Sequence, residues 1–167
     1  HPQTRSWLLS ESGLSEFACE LLLEENTRPR LLPMAGEQLL LSLRGVNLNP
    51  GAEPEDMVSV RIFAQAPRVI SLRLRPLRAS DEIPLQLEQG RGPKTASGLL
   101  VLMGELLTET VQGLVSDLAE LVDLEEEKVE ADERHLPDQG SCPQIRRRAA
   151  GLRRFLAPQR DIYAHLS

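Results

Sequence analysis

The chain has 167 residues, 41% of them hydrophobic and 26% charged, with a formal net charge of -6. That size and balance describe one ordinary folded domain with a real core plus an extension. The acidic excess argues against non-specific nucleic-acid binding.

Residues 12–25 are predicted to form a helix, because Leu14, Phe17, Leu21 and Leu22 share a face and Ser12 can cap its start. Thr27-Arg28-Pro29-Arg30 ends it, since a residue before proline leaves the helical region. Three strand-like runs follow, over residues 39–44, 57–64 and 68–75, punctuated by Asn49-Pro50-Gly51 and Ala66-Pro67. The second punctuation predicts an antiparallel hairpin. The last run mixes Val69, Ile70, Leu72 and Leu74 with Arg68, Arg73 and Arg75, giving one buried face and one basic, wet face. A helix is predicted over 78–89, interrupted at Pro84. Gly90-Arg91-Gly92-Pro93-Lys94-Thr95 is glycine-rich, but a phosphate-binding loop needs another residue order and a preceding strand. It reads as a connector and a helix start.

Residues 95–134 read as one long helix or two in series. Leu107, Val111, Leu114, Leu118 and Leu121 step by four and three, the spacing that keeps one face against a partner helix. The distal end is acidic, with Asp117, Glu120, Asp123, Glu125, Glu126, Glu127, Glu130, Asp132 and Glu133 set against Lys128 before Arg134. Pro137, Gly140 and Pro143 turn the chain. The final helix, over 143–167, carries a second seam of Ile145, Ala149, Leu152, Leu156, Gln159, Tyr163 and Leu166, flanked by Arg146, Arg147, Arg148, Arg153, Arg154 and Arg160. Acidic helix, short turn and basic helix predict an antiparallel hairpin. Burying a leucine contributes about 1.5–3 kcal/mol and an exposed ion pair about 0.2–1 kcal/mol, so the seams hold the hairpin and the charges choose its register. Pro158 predicts a kink or restart near Ala157. The division expected is a sheet module over 1–94 and a helical arm over 95–167.

No residue constellation points to an enzyme. His1, His135 and His165 are scattered, and neither a Gly-x-Ser-x-Gly elbow nor a distinctive Cys/His pair occurs. Cys19 and Cys142 are far apart in sequence and suit a reducing compartment. His135 and Cys142 can meet across the turn near Glu133 or Asp138 as a candidate tight metal site. Asp117, Glu120, Asp123, Glu125 and Glu127 are either a solvated helix end or a loose collector of divalent cations, since carboxylates hold hydrated cations weakly. No tightly bound cofactor is expected. Arginines around Phe155 imitate a nucleic-acid patch, but the leucines between them and the net charge speak against it. The longest unbroken apolar run covers residues 99–103, against the roughly 20 residues of a membrane helix, so the chain itself is expected to span nothing. It begins with His1 and shows no signal-peptide pattern, and it reads as a piece of something longer.

Several stretches together resemble the cytoplasmic portion of the CorA-type divalent-cation transporters, in particular the ZntB zinc-transporter branch. They are Thr27-Arg28-Pro29-Arg30, the run from Leu43 through Asn47 to Gly51, Pro54 to Ser59, Arg68 to Arg73, Gly90 to Thr95 and Leu152 to Arg160. The resemblance runs in order from about Trp7 to Ser167. It implies an α/β fold: an α/β/α sandwich with a mixed, largely antiparallel sheet, followed by long helices ending in a stalk. It further implies a homopentamer around an axial pore, zinc or another divalent cation as the transported ion, and a location at the inner membrane. The family's Gly-Met-Asn motif, which ends its first membrane helix, does not occur in these residues. The reading is the funnel vestibule and gating domain of such a transporter on the cytoplasmic side. A soluble oligomerising scaffold without transport is the alternative.

Overall fold

The computed structural model describes residues 1–25, 27–131 and 141–166. Nine elements follow in chain order. They are α1 (Pro2–Ser10), α2 (Glu16–Leu23), β1 (Arg30–Met34), β2 (Gln38–Gly45), β3 (Val58–Gln65), β4 (Arg68–Arg73), α3 (Arg78–Glu88), α4 (Ala96–Ala131) and α5 (Ser141–Leu166). The strands make one sheet in sequence order, every neighbour antiparallel, so no parallel pairing enters it among the described residues.

The sheet is buried on both faces, which is why its middle strands read as near-continuous apolar runs. Leu40 and Phe63 point to one face and pack with Leu8, Ala18, Cys19 and Leu22 of α1 and α2. Leu41, Leu43, Val58, Val60 and Ile62 point to the other and pack with α3, α4 and α5 through Ala79, Ile83, Met103, Leu107 and Ile162. The result is the expected α/β/α sandwich. The β3–β4 hairpin turns at Ala66-Pro67, whose peptide is cis, with Gln65 opposite Arg68.

Several elements differ from the sequence expectation. Strand β1 was not anticipated, because Pro33 and the preceding Arg28-Pro29 interrupt its pattern; proline is tolerated here on an edge strand, where one row of backbone groups faces outward. Helix α1 was not anticipated either; it is short, and only Leu8 is buried. Helix α2 starts after Ser15, whose side chain accepts from the Ala18 amide at 3.2 Å. Ser12 instead donates to Leu8 O at 2.5 Å and accepts from the Leu14 amide, closing the end of α1. The later start leaves Phe17 exposed and makes Ala18, Cys19 and Leu22 the buried face. Pro84 and Pro158 each sit inside a continuous helix, so neither the interruption expected at Pro84 nor a restart at Pro158 occurs.

The loop between β2 and β3 explains one of the quoted sequence stretches structurally. Buried Asn47 donates from its side chain to Asp56 O at 3.0 Å and from its backbone to Pro54 O at 3.2 Å. Its side-chain oxygen accepts from Asn49, whose amide reaches Pro76 O at 3.1 Å. Gly51 takes a left-handed φ of 73°, which glycine adopts without penalty. The two asparagines and the glycine therefore hold the loop shut.

Candidate functional site: anchorage of the long helices

Helices α4 and α5 run antiparallel. Tyr163 near the end of α5 covers Gly104 near the start of α4, and Ser141 at the start of α5 donates to Glu125 far along α4 at 2.9 Å. A methyl group at Gly104 would meet the Tyr163 ring at 3.4 Å, so the small residue permits this close crossing. Gly45, at the end of β2, does the same for α4: a Cβ there would lie 2.6 Å from both Leu107 and Leu77.

Helix α5 is also tied to the sheet by polar bonds. Strand β1 begins at Arg30, opposite Ser42, so the outer edge of Arg44 lies beyond its reach. The Gln159 carboxamide stands where β1 would continue. Its oxygen accepts from the Arg44 amide at 2.7 Å and its nitrogen donates to Arg44 O at 3.1 Å. The same nitrogen lies 3.0 Å from the Tyr163 hydroxyl. Gln159 is 2% exposed, so these bonds are shielded from water. Burial raises the Tyr163 pKa above 10, and hydrogen bonds with Thr108 and Gln159 pull it partly back.

The Arg44 side chain completes the junction. Its Nη1 donates to Met57 O at 2.7 Å, while Nε and Nη2 donate to Thr27 O at 3.1 and 2.5 Å. Its guanidinium lies 4.7 Å from the centre of the Phe155 ring on α5, within cation–π range. Burial lowers the Arg44 pKa first, and the charges of Arg154 and Arg61 lower it further. On the next turns of α5, Arg148 lies 3.6 Å from Glu55 and 3.8 Å from Glu53, and Gly151 lets the helix approach the Glu55 stem.

This anchorage adjusts the predicted seams. On α5, Leu152, Gln159 and Ile162 are the buried positions; Ala149 is exposed and its neighbour Arg148 turns inward. On α4 only Met103 and Leu107 are fully buried, and the inward stripe drifts from Leu118 to Val122 rather than Leu121. A straight 3.6-residue helix drifts away from a strict seven-residue repeat, which accounts for the shift. Beyond Leu107 the helix is lightly covered: Val115, Leu121, Leu124 and Val129 are all exposed. By length and composition α4 contains a window apolar enough to cross a membrane, and 11% of that window is buried. Counting unbroken apolar runs missed it, because Gly, Thr and single charges interrupt the runs without lowering the average much.

The acidic candidates do not act as one group. Asp117, Glu120, Asp123 and Glu127 are exposed and recur at three- and four-residue spacing along one side of α4. Glu125 points the other way, bonded to Ser141 and lying 2.7 Å from Lys128. Among the described residues no three His, Cys, Asp or Glu side chains are placed to hold a metal ion together. Cys142 lines a cleft of about 460 Å³ between the distal end of α4 and the start of α5, with Val122, Val129 and Ile145. His135, with Asp132, Glu133 and Asp138, lies outside the described residues.

Sequence reading missed the roles of Arg44 and Gln159. The available signal was the type of residue: a polar amide at a core position of the α5 seam, and an arginine inside an apolar strand.

The family of CorA-like Mg2+ transporter proteins matches residues 1–167. The divalent cation transporter CmaX of Pseudomonas aeruginosa is 60% identical over 166 residues, covering 99% of this chain and 50% of that protein. The structure of full-length CmaX superposes with a TM-score of 0.94 at 61% identity, covering 99% of this chain and 50% of that one. The ZntB cytoplasmic domain from Vibrio parahaemolyticus superposes with a TM-score of 0.81 at 29% identity, covering 97% and 65%. The present chain thus spans about half the length of the relatives it matches and is more similar to CmaX than to this ZntB. Over its whole length, the chain belongs to the CorA-like Mg2+ transporter family.

Proposed function

We propose that this chain is the cytoplasmic portion of a divalent-cation transporter of the inner membrane, residues 1–94 forming a sheet module and 95–167 a helical arm that continues as the stalk. It works as a homo-oligomer, a pentamer in the whole protein, around a central passage for zinc or another divalent cation. The observation that carries this reading is the uneven coverage of the arm. The arm is clamped to the sheet through Gln159 and Ile162, yet leaves Val115, Leu121, Leu124 and Val129 of α4 exposed for neighbours. The matching of half of a divalent cation transporter supports it.

In this reading the exposed carboxylates of Asp117, Glu120, Asp123 and Glu127 raise the local concentration of hydrated cations without binding them tightly, as transit requires. Glu125, turned toward α5, supports the hairpin. His135 and Cys142 remain a candidate tight metal site. The Gln159–Arg44 clip transmits any change in the sheet module to the stalk, because the stalk cannot slide without breaking two backbone bonds of β2.

The test is uptake of divalent cations into vesicles carrying the protein encoded by the whole gene. Uptake that falls when Asp117, Glu120, Asp123 and Glu127 are all neutralised supports the reading. A protein that gathers into a defined oligomer but moves no cation favours the scaffold instead, and two apolar segments of about 20 residues encoded after Ser167 would count against the scaffold.

A further inference from the structure

A groove of about 500 Å³ opens where α4, the end of α5 and β2 meet. Its floor is Leu41 and Leu43 of β2, both buried, so it reaches down to the core of the sandwich. Val101 of α4 and Leu166 of α5 are apolar walls that stand open to solvent. Tyr163 is an aromatic wall, brought close to α4 because Gly104 carries no side chain. A concave, mostly apolar space of roughly 300–1,000 Å³ with a few polar groups is the usual form of a small-molecule site.

The charged groups at the groove select the ligand. They are Glu105 and Glu109, one turn apart on α4 and both exposed, and no lysine or arginine lines the space. Among the described residues neither carboxylate is in an ion pair or a hydrogen bond; Arg78 of α3 feels the field of Glu109 but is bonded to Glu82. Like charges four residues apart on a helix destabilise each other, and a cation between them relieves this. An anionic ligand would be repelled. A metal ion would keep its water and leave the apolar walls wet. A ligand with both a positive charge and an apolar body satisfies the rim and the walls together.

We propose that this groove binds an organic ammonium ion with an aryl or short alkyl body, its charge at Glu105 and Glu109 and its body over Leu41, Val101 and Leu166. The Tyr163 ring adds the attraction of an aromatic system for a cation. The Tyr163 hydroxyl lies 3.0 Å from the Gln159 amide nitrogen, so the ligand touches the clip that ties α5 to β2 and steadies it. The inference is independent of the transport reading.

The test is calorimetric titration with benzyltrimethylammonium chloride, of the protein encoded by the whole gene and of this chain in parallel. A dissociation constant below about 1 mM is expected for both. Tetramethylammonium has the charge without the body, and benzyl alcohol the body without the charge; each should bind about tenfold more weakly or worse. Replacing both carboxylates, Glu105→Gln with Glu109→Gln, should weaken the ammonium about tenfold and leave benzyl alcohol unaffected. Both side chains are exposed, so this variant should keep its melting temperature. Val101→Trp should fill the groove and block the ammonium and the alcohol alike. Equal binding of tetramethylammonium would mean only a diffuse acidic surface and would overturn the proposal. So would affinity unchanged in the Gln variant, or no binding at all. Binding to this chain but not to the whole protein would also overturn it, because the groove would then be covered by another part of the protein or by a second copy.

Discussion

The two ends of the α4–α5 pair are built on different physics. Near the sheet, α5 is fixed by directional bonds: the Gln159 amide continues the ladder of β2, and Arg44 spans Thr27, Met57 and the Phe155 ring. Away from it, the pair is held by a thin seam of half-buried aliphatic residues and a bond from Ser141 to Glu125, with Leu121 and Leu124 facing solvent. The near end specifies one position. The far end specifies mainly that the helices stay side by side, and leaves apolar surface for another surface to cover. A rigid root and an adaptable tip suit a part that must be both referenced to its module and joined to neighbours.

Gln159→Leu gives the largest expected loss. It keeps the volume but leaves the buried Arg44 amide and carbonyl unpaired, at a cost of about 2–4 kcal/mol in urea unfolding. Leu124→Ala, at a side chain 51% exposed, should change stability by less than about 0.5 kcal/mol while weakening any self-association seen by light scattering. Equal costs for the two would erase the distinction between root and tip. Next comes Gly45→Val. Its added carbons collide with Leu107 and Leu77, so α4 must lift away from β2, at about 1–3 kcal/mol. The same change at Gly113, where nothing lies within 4 Å of an added Cβ, should leave stability unchanged or raise it by about 0.3 kcal/mol, because valine is a better helix former than glycine.

Alkaline titration probes the root alone. Tyr163 is protonated in the fold up to a pH above its ordinary value of 10. The unfolded chain therefore releases this proton first as pH rises, and the associated stability, complete below pH 10, declines above it. Tyr163→Phe should flatten that decline in unfolding measurements as pH rises through and above the ordinary tyrosine value of 10. A decline of unchanged steepness would place the sensitive group elsewhere.

How much of this was legible in the sequence follows the same division. The hairpin at Ala66-Pro67 and the long helices were readable, because each rests on local periodicity or turn chemistry, whereas the sandwich followed only from the family resemblance. The root was not. Gln159 gains its meaning only from the place where β1 stops, a fact about two segments more than 100 residues apart. Strand β1 itself was hidden by Pro33, whose effect depends on whether the strand lies at an edge. At the tip, the acidic residues stand together in sequence, but helix geometry separates Glu125 from the others, since it lies only two residues from Asp123 and Glu127.

The smallest expected effect on stability concerns that acidic side of the tip. Asp117, Glu120, Asp123 and Glu127 are exposed, so neutralising all four as amides should move the unfolding free energy by no more than about 1 kcal/mol. The change in net charge, from -6 to -2, is nevertheless large. Their attraction for a divalent cation is long-ranged and screened, so it should fade as salt approaches the concentration where the Debye length is about 8 Å. Weak zinc association, followed by equilibrium dialysis at low and physiological salt, separates two cases. A salt-sensitive association lost in the amide variant identifies a diffuse field along α4. An association that survives both salt and the four amides belongs to different ligands, with Cys142 the first to replace, by serine.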